Sequence, residues 1–563
     1  MGPMLLAGMT PADLDLPDKF KEFRRTQVEG VEFVLGSGGG RDKRFDALAQ
    51  PAGSGKSLSA MTIGKMSGCK FAIVTVTRAL ESQYLRDFES SGLVNIRGRA
   101  NYRCCDPELD AAARKAGGGN CGGLNCEEGF ERGCKYADTT RCTYREQAER
   151  ATDADAIVTN DQYWINVRGR NAHGLEREDN PIRLLIIDEA HLASSGVARH
   201  LSAWLSHKTA HEYAELPFRR LIERAKGEMS GRVDAQWVEV LRTILTAVAG
   251  EMAQLAFDYG NAGAAFRQSR KYRALKKVSE DVEKIVVYGG DGNWLWLQTQ
   301  NFARQTGVRF ECVWPGRYME RYMWSGAPKV VLLSATLRPK ALEICGLTEG
   351  KYAYKEWPRQ FPAENNPVVW VPTGPMGIKA TSDELRAAIV RADQIYDEWA
   401  PHAKGIVHTA SYKRAEWLAT NSRWGKSMMI NKPGEAADTA DRFREAAPPA
   451  ILVSPSYGTG WDFPDSECEW MHIIKLPFAD RSDPVVRARA DQDHEWYSYE
   501  AMQVLVQSCG RGTRHKEDKC TVIVTDDAVR NFRRYAARFA PGWFAVREVG
   551  EIPKYRGPRQ AIG

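Results

Sequence analysis

The sequence predicts an α/β protein with two parallel-sheet domains, the first of which is interrupted by two insertions. Short apolar runs, such as residues 71 to 76, alternate with helix-like stretches, such as residues 57 to 66. This alternation stops at residues 101 to 146 and again at about 195 to 290, and it resumes after each interruption. A chain of 563 residues is long enough for three or four such units.

Composition and charge are those of an ordinary globular protein. Hydrophobic residues make up 43% of the chain and charged residues 27%. No run of about 18 apolar residues is uninterrupted, and the amino terminus lacks a basic leader followed by a long apolar stretch. We therefore expect a cytoplasmic protein with no membrane partner. The formal net charge of +6 is small for this length, so it argues only weakly for a polyanionic partner.

Residues 50 to 57 read Gln-Pro-Ala-Gly-Ser-Gly-Lys-Ser, which predicts a phosphate-binding loop for ATP. Lys56 is expected to pair with the β and γ phosphates, and Ser57 to offer its hydroxyl to Mg²⁺. The helix that follows points its positive end at the same anion. Gln50 departs from the usual pattern, because it stands where a glycine is expected. The predicted nucleotide contacts in this loop are Gly53, Ser54, Gly55, Lys56, Ser57 and Leu58.

A second signal lies at the end of a strand-like run, residues 184 to 187, which is followed by Asp188-Glu189-Ala190-His191. Ligands of open α/β sheets bind beyond the carboxyl ends of the strands. We expect Asp188 to hold Mg²⁺ and Glu189 to accept a proton from the attacking water, with His191 as a further catalytic candidate. A strand end with a helix cap is the alternative for such a pair of acids. The phosphate loop upstream argues against that alternative.

Residues 507 to 514 read Gln-Ser-Cys-Gly-Arg-Gly-Thr-Arg. If this segment is helical, Gln507, Arg511 and Arg514 share one face, because they are spaced i, i+4 and i+7. Two guanidinium groups can then reach the γ-phosphate from the second domain, stabilise the transferring charge and sense its loss. For an isolated helix the alternative is a solvated basic face.

Residues 101 to 146, the cysteine segment, are rich in glycine, charge and cysteine. A segment with so few apolar residues cannot form a stable core by itself and needs a cross-link. The crowding of its cysteines predicts that a metal site supplies that cross-link. The six cysteines are Cys104, Cys105, Cys121, Cys126, Cys134 and Cys142. Spacing alone leaves tetrathiolate zinc and an iron–sulfur cluster open, since four sulfur ligands serve both. The six other cysteines are expected to be small buried residues.

Further motifs follow in an order that resembles superfamily 2 helicases. Gln27 in FRRTQ stands where that superfamily recognises adenine, and Thr77-Arg78 stands where it grips the nucleic-acid backbone. Ser-Ala-Thr at 334 to 336 resembles its coupling motif. GIVHTASY at 405 to 412 and SYGTGWDF at 456 to 463 resemble later motifs, which puts Asp462 at the nucleotide-sensing position. Residues 507 to 514 match its Q-x-x-G-R-x-x-R.

Three segments narrow the resemblance to the XPD and DinG branch. They are GRANYRC at 98 to 104, the spaced cysteines ending in Cys142-Thr-Tyr, and IVTNDQYWI at 157 to 165. The resemblance implies that four cysteines bind a [4Fe–4S] cluster and that a helical arch precedes the Ser-Ala-Thr motif. The preferred cluster ligands are Cys104, Cys126, Cys134 and Cys142, with Cys121 as an alternative to Cys126 and Cys105 as an alternative to Cys104.

The implied architecture is two RecA-like (P-loop NTPase) motor domains with a cysteine-rich iron–sulfur insertion and an all-helical arch insertion. The first motor domain is expected at residues 1–100, 147–194 and 291–340. The cluster domain is expected at 101–146, the arch at 195–290 and the second motor domain at 341–563.

The implied activity is that of an ATP-dependent DNA helicase that moves 5′ to 3′ on single-stranded DNA and unwinds duplexes. Its cofactors would be ATP, Mg²⁺ and the [4Fe–4S] cluster, and its partners single-stranded and forked DNA, with a monomeric motor that serves DNA repair or replication. The alternative is a DNA-stimulated ATPase switch that clamps single strands without processive unwinding. The DNA-binding candidates are Thr77, Arg78, Arg103 and Trp461, with Arg97, Arg99, Arg267, Arg270, Lys271, Tyr272 and Arg273 as further possible contacts.

Overall fold

Three β-sheets organise the chain. The structure is a computed structural model, and it describes residues 5–36, 40, 42–51, 53–115, 124–137, 139–169, 175–225, 227–258, 270–300, 304–377, 379–432, 435–455, 463–513 and 517–557. Within these residues, two parallel sheets have seven strands each, and an antiparallel sheet has four. The two parallel sheets confirm the predicted pair of RecA-like domains.

The first parallel sheet forms the first α/β domain. Its strands are β1 (Phe45–Ala49), β2 (Phe71–Thr75), β3 (Leu93–Ile96), β4 (Ala156–Asn160), β5 (Leu184–Asp188), β10 (Lys329–Ser334) and β11 (Tyr352–Glu356), in the order β11-β1-β10-β5-β2-β4-β3. Its helices include α1 (Arg25–Leu35), α2 (Lys56–Met66), α3 (Arg78–Phe88), α6 (Thr143–Asp153), α7 (Asp161–Gly169), α8 (Ala193–Leu201) and α12 (Pro339–Ile344). Strands β2 and β5 are buried along their whole length, as their unbroken apolar sequences predict.

The expected domain boundary at residue 340 is too early. Strand β11 pairs in parallel with β1, from Phe45 opposite Tyr352 to Ala49 opposite Glu356. Trp357, directly after β11, is buried in the core of the same domain. The chain therefore completes the first sheet before it crosses to the second one. Nothing local in the sequence of β11 shows which sheet it joins, because strand pairing is a long-range choice.

The second parallel sheet forms the second α/β domain. Its strands are β12 (Val368–Gly374), β13 (Gly405–His408), β14 (Met428–Ile430), β15 (Ile451–Ser454), β16 (Trp470–Ile473), β17 (Thr521–Asp526) and β18 (Val546–Glu548), in the order β14-β15-β13-β16-β17-β12-β18. Its helices are α13 (Ser382–Trp399), α14 (Tyr412–Asn421), α15 (Ala436–Glu445), α16 (Pro484–Gln492), α17 (His494–Cys509) and α18 (Val529–Ala536).

The second insertion is not all-helical, which corrects the sequence-based expectation. Its helices are α9 (His207–Arg224), α10 (Ala235–Asp258) and α11 (Arg270–Tyr288), and its strands are β6 (Ala203–Ser206), β7 (Ser230–Arg232), β8 (Trp294–Gln300) and β9 (Thr306–Cys312). We call residues 203–312 the insertion domain. The strands form an antiparallel sheet in the order β6-β9-β8-β7. Strands β6 and β7 are too short to leave a period-2 pattern, and their partners lie beyond residue 290.

Helix α10 is the one described helix that is long and apolar enough to cross a membrane by length and composition. Its buried residues are Trp237, Val238, Val240, Leu241, Ile244 and Val248, and they belong to the main core cluster. The helix packs against α9 and α11. The apolar residues of α10 thus form part of the core of the insertion domain.

The insertion domain also contacts the second α/β domain. Arg489 of α16 donates from Nε to the carbonyl oxygen of Val313 at 2.6 Å, and its guanidinium lies between the rings of Trp314 and Trp496. Trp314 Nε1 in turn donates to Gln492 at 2.8 Å. Val313 and Trp314 directly follow the insertion domain, so these contacts attach its base to the second α/β domain.

Candidate active site

The phosphate loop connects β1 to α2. Gly53 and Gly55 have φ of +75° and +79°, a left-handed backbone that glycine adopts without steric cost. Helix α2 begins at Lys56 directly after Gly55. This turn aims the amino end of α2 at the position predicted for the phosphates.

Gln27 of α1 hydrogen-bonds to the backbone of the phosphate loop. Its side-chain amide donates to the carbonyl oxygens of Ser54 and Gly55 at 3.3 and 3.2 Å, and its Oε1 accepts from the backbone of Arg24 at 2.8 Å. Gln27 is buried. The contacts that the structure shows for Gln27 are with the loop, and recognition of adenine by this residue stays a prediction.

Gln50, the departure from the usual glycine, points away from the loop. Its Nε2 donates to the carbonyl oxygen of Thr26 at 3.1 Å, and the side chain is fully buried against α1. A Cβ at Gly30 would lie 2.8 Å from that same nitrogen, so a glycine on α1 makes room for the glutamine. Gln50 at the start of the loop is therefore hydrogen-bonded to α1.

Asp188 and Glu189 stand at the carboxyl end of β5, beside the loop. Asp188 Oδ1 accepts from the backbone N–H of Glu189 at 2.8 Å, and Oδ2 accepts from the Tyr84 hydroxyl at 2.9 Å. Burial and the neighbouring Glu189 carboxylate raise the pKa of Asp188 to about 6, although Lys56 opposes the rise. Glu189 has a φ of +53°, a strained conformation for a residue with a Cβ.

The Glu189 carboxylate is held in the ionised form. Burial alone would raise its pKa, but His191, Lys56 and Arg511 lower it overall. Its Oε2 accepts from the Ser334 hydroxyl at 3.3 Å. A carboxylate that stays ionised beside the phosphate loop has the protonation state that a general base requires.

His191 connects the two α/β domains. Its Nδ1 lies 2.8 Å from Oγ of Ser334, and its Nε2 lies 2.5 Å from Nε2 of Gln507 on α17. Gln507 also donates to Thr336 at 3.3 Å. Burial lowers the pKa of His191 to about 4, so the imidazole is neutral near pH 7. With Nε2 accepting from Gln507, the imidazole proton is on Nδ1.

The helical premise for residues 507 to 514 is wrong. Helix α17 ends at Cys509, and Arg511 lies in a single 3-10 turn, Gly510–Gly512. Two glycines disfavour a continued helix, and a Cβ at Gly512 would come 2.5 Å from Sγ of Cys520. Arg511 nevertheless reaches the site, since its charge lowers the pKa of both Glu189 and His191. Arg514, like Asp462 and Trp461, lies outside the described residues.

The DNA-binding candidates divide into two groups. Thr77 caps α3, with its hydroxyl accepting from the backbone of Leu80 at 3.2 Å, and Arg78 lines a cavity of about 690 Å³ with Arg99 and Arg199. Arg199 pairs with Asp161 at 3.2 Å, and several of the DNA-binding candidates likewise have carboxylate partners in the protein. These ion pairs are Arg97 with Glu81, Arg103 with Asp110 and Lys271 with Glu251.

A second cavity of about 720 Å³ lies beside the first, and Asn166 lines both. Its lining has five cationic side chains and three acidic ones, which are Arg273, Lys276, Lys277, Lys284, Arg321, Glu280, Asp281 and Glu283. The two cavities together form a path from α3 to the insertion domain that has mixed charge with a small excess of cationic side chains, and we call it the basic path. Tyr272 lies next to Arg273 on α11, whereas Arg267 and the side chain of Arg270 lie outside the described residues.

The cysteine segment contains two short helices, α4 (Pro107–Lys115) and α5 (Cys126–Glu131). Cys104, Cys126, Cys134 and Cys142 are all buried, and Sγ of Cys126 lies 3.5 Å from Sγ of Cys142. The thiol of Cys104 interacts with that of Cys134. Burial and the contact with Cys142 raise the pKa of Cys126 to about 12.

The structure describes only one of the two alternative cysteine ligands, Cys105 and Cys121. Cys105 is half-buried, and its thiol interacts with those of Cys134 and Cys142, so it belongs to the same group. Cys121 lies outside the described residues. Among the residues that the structure describes, no three His, Cys, Asp or Glu side chains are arranged to hold a metal ion. A metal or cluster in this segment therefore stays a prediction.

Comparisons with known proteins agree with the fold. Residues 400–545 match the helicase C-terminal domain family. Over 53% of its length, the chain is 25% identical to the regulator of telomere elongation helicase 1 homolog of Anopheles gambiae. Over 39% of its length, it is 23% identical to the ATP-dependent DNA helicase DinG of Photobacterium profundum. In each case the chain spans 34% of the relative's length.

Solved structures show the same architecture. The structure of S. tokodaii Xpd4 superposes with a TM-score of 0.58 at 13% identity and covers 93% of this chain and 100% of its own. An XPD helicase structure gives a TM-score of 0.58 at 14% identity, with 94% and 100% covered.

A phosphate loop and two buried carboxylates on one parallel sheet, with a glutamine and an arginine supplied by the other, have the arrangement of a two-domain P-loop NTPase. Within that class, the comparisons confirm the resemblance to superfamily 2 DNA helicases of the XPD and DinG branch.

The structure brings together most of the predicted nucleotide-site residues that it describes. Lys56, Asp188, Glu189, His191 and Gln507 meet at one cleft between the two α/β domains. Sequence reasoning missed Tyr84, which hydrogen-bonds Asp188. A single tyrosine inside an ordinary amphipathic helix leaves no sequence signal for such a contact.

Proposed function

We propose that the protein is an ATP-dependent DNA helicase that moves on single-stranded DNA and couples ATP hydrolysis to duplex unwinding. The observation that carries this proposal is the hydrogen bond from Gln507 of the second α/β domain to His191 of the first. It joins the two domains directly beside Glu189. A motor of two such domains needs this kind of link, because hydrolysis must change how the domains contact each other.

The chemistry follows from the cleft residues. Lys56 and the amino end of α2 bind the phosphates, and Arg511 stabilises the charge of the transferring phosphoryl group from the opposite domain. Ser57 and Asp188 would hold Mg²⁺, which would neutralise part of the phosphate charge when it is bound. Glu189 takes the proton of the attacking water. Ser334 and His191 orient that carboxylate and connect it to Gln507.

DNA is proposed to follow the basic path that runs from Arg78 through Arg199 to the insertion domain. The guanidinium and ammonium groups of this path outnumber its carboxylates, and such groups attract the backbone phosphates of a single strand without regard to sequence. Movement from 5′ to 3′ is part of the proposal and rests on the resemblance to the XPD and DinG branch.

The cysteine segment is proposed to hold a [4Fe–4S] cluster through Cys104, Cys126, Cys134 and Cys142. The donor set fits, since four buried thiols gather in a segment whose fully buried apolar side chains are only Leu124 and Ala137 among the residues described. So small a core gives little stability by itself, and a bound cluster would supply the missing cross-links. Zinc bound by the same thiols is the competing possibility.

A strand-displacement assay beside an ATPase assay tests the proposal. We expect single-stranded DNA to stimulate hydrolysis and the protein to unwind a duplex with a 5′ single-stranded tail, but not one with a 3′ tail. Hydrolysis stimulated by DNA without displacement of either substrate would instead support a clamp that binds single strands as an ATPase switch. Absence of ATP hydrolysis would exclude both functions.

A further inference from the structure

Tyr84 occupies a position that links the two surfaces described above. It lies on α3, is fully buried, and donates its hydroxyl to Oδ2 of Asp188 at 2.9 Å. The Ser57 hydroxyl interacts with the same phenol. Tyr84 therefore contacts both side chains that are proposed to hold Mg²⁺. The ring packs against Phe88, which stacks on Phe20, so its position is set by the core.

The hydrogen bond from Tyr84 provides a donor for a buried oxygen of Asp188. This carboxylate is buried beside a second carboxylate, Glu189, and a buried charge is costly unless hydrogen bonds satisfy it. One oxygen accepts from the backbone N–H of Glu189, and the other accepts from Tyr84. Donors at both oxygens fix the plane of the carboxylate. Without the phenol, the carboxylate could rotate about its Cβ–Cγ bond.

Helix α3 reaches from this carboxylate to the proposed DNA path. Arg78 in its first turn lines the 690 Å³ cavity, and six residues separate it from Tyr84, a rise of about 9 Å along the axis. Between them, Glu81 is buried and pairs with Arg97 at 2.7 Å. The inner face of α3 is thus anchored at Glu81, Tyr84 and Phe88. A displacement of its first turn is transmitted along a rigid helix to the phenol.

We propose that Tyr84 is a positioning residue that orients Asp188 for Mg²⁺ and links that carboxylate to the DNA-facing end of α3. The inference rests on the proposed ATPase function and deepens it. It assigns to one hydroxyl group the connection between DNA contact and metal binding within the first α/β domain.

Tyr84→Phe removes the hydroxyl and keeps the ring. We expect the Mg²⁺ concentration that half-saturates the binding of a fluorescent N-methylanthraniloyl ADP to rise about tenfold, the factor for losing a hydrogen bond to a charged group. Nucleotide affinity without Mg²⁺ should stay unchanged. Stimulation of ATP hydrolysis by oligo(dT) should fall, whereas hydrolysis at saturating Mg²⁺ without DNA should fall less.

Tyr318→Phe is the matched control. Its hydroxyl is also buried and donates to a carboxylate, Asp291, at 3.0 Å, but it lies at the base of the insertion domain. If the two variants have the same Mg²⁺ dependence and the same DNA stimulation, the inference is wrong. If the wild-type protein itself binds nucleotide without any effect of Mg²⁺, or does not hydrolyse ATP, the proposed function is wrong instead.

A second measurement keeps the tyrosine hydroxyl, in case the phenylalanine variant does not fold. A 3-fluorotyrosine incorporated at position 84 of the full chain reports on its surroundings through the ¹⁹F resonance. We expect that resonance to shift when Mg²⁺ and ADP are added, and to shift again when oligo(dT) is added. A ¹⁹F resonance that does not shift on addition of oligo(dT) would refute the link to DNA. A resonance that does not shift on addition of Mg²⁺ would refute the positioning role.

Discussion

The side-chain amide of Gln507 lies 2.5 Å from Nε2 of His191, although 316 residues separate them in the chain. From His191 the hydrogen bonds continue through Ser334 to Glu189. Glu189, the proposed general base of the first α/β domain, is thus connected to a helix of the second. Because the imidazole is neutral near pH 7, it can accept from Gln507 on one side and donate to Ser334 on the other.

Gln507→Ala should lower the kcat of ATP hydrolysis about tenfold and leave nucleotide binding nearly unchanged. The variant loses one hydrogen bond that aligns the proposed base, and a tenfold change corresponds to about 1.4 kcal/mol. Steady-state kinetics with single-stranded DNA measures the effect. Gln503→Ala is the control, since Gln503 is buried one turn earlier on the same helix. Equal losses in both variants would mean that the helix, and not the contact with His191, is responsible.

Lys56→Ala should abolish ATP hydrolysis and leave binding of single-stranded DNA largely intact. The ammonium group acts on Asp188 and Glu189 beside the phosphate loop, whereas the basic path starts at Arg78. Phosphate release and fluorescence anisotropy of a labelled oligonucleotide measure the two properties. Lys65→Ala, at the other end of α2, should behave as the wild type. Normal turnover by the Lys56 variant would contradict the assignment of the nucleotide site.

Cys134→Ser should remove a brown colour that we expect of the purified protein, and unwinding should be lost while some ATPase activity remains. Loss of one ligand disrupts the cluster and with it the small cysteine segment, but the nucleotide cleft lies on other elements. An absorption spectrum with iron and zinc analysis measures the change. Cys312→Ser, buried in the insertion domain, should keep the colour. Colourless wild-type protein with one zinc per chain would overturn the iron assignment.

Asp46→Asn should change the pH dependence of stability. Burial raises the pKa of Asp46 to about 7 despite its ion pair with Lys329 at 2.7 Å. The folded state therefore holds this proton more tightly than the unfolded state, whose carboxyl has a pKa of about 3.9. The stability that the proton contributes is present below about pH 4 and is lost as the pH rises to about 7.

The asparagine variant lacks this titration. Its free energy of unfolding relative to the wild type should therefore increase between about pH 4 and pH 7. Denaturant unfolding at several pH values measures the difference. Asp13→Asn is the control, because hydrogen bonds from Thr10 lower the pKa of Asp13, so the relative free energy of unfolding of this variant should fall with rising pH, and it should do so below about pH 5. A difference between Asp46→Asn and wild type that does not vary with pH would contradict the titration of Asp46.

Local sequence determined the parts of this protein that depend on neighbours in the chain. The left-handed glycines and Lys56 of the phosphate loop, and the buried strand that delivers Asp188 and Glu189, are encoded in a few consecutive residues. Their chemistry could be predicted because a loop, a strand end and an apolar run are local features.

Tertiary structure alone decided the contacts between distant segments. It placed β11 in the first sheet, paired β6 with β9 and brought Tyr84 to Asp188. Each of these depends on which surfaces meet when the chain closes. Hydrophobic periodicity reports that a face is buried, but it does not report the partner that buries it, because many partners satisfy the same pattern.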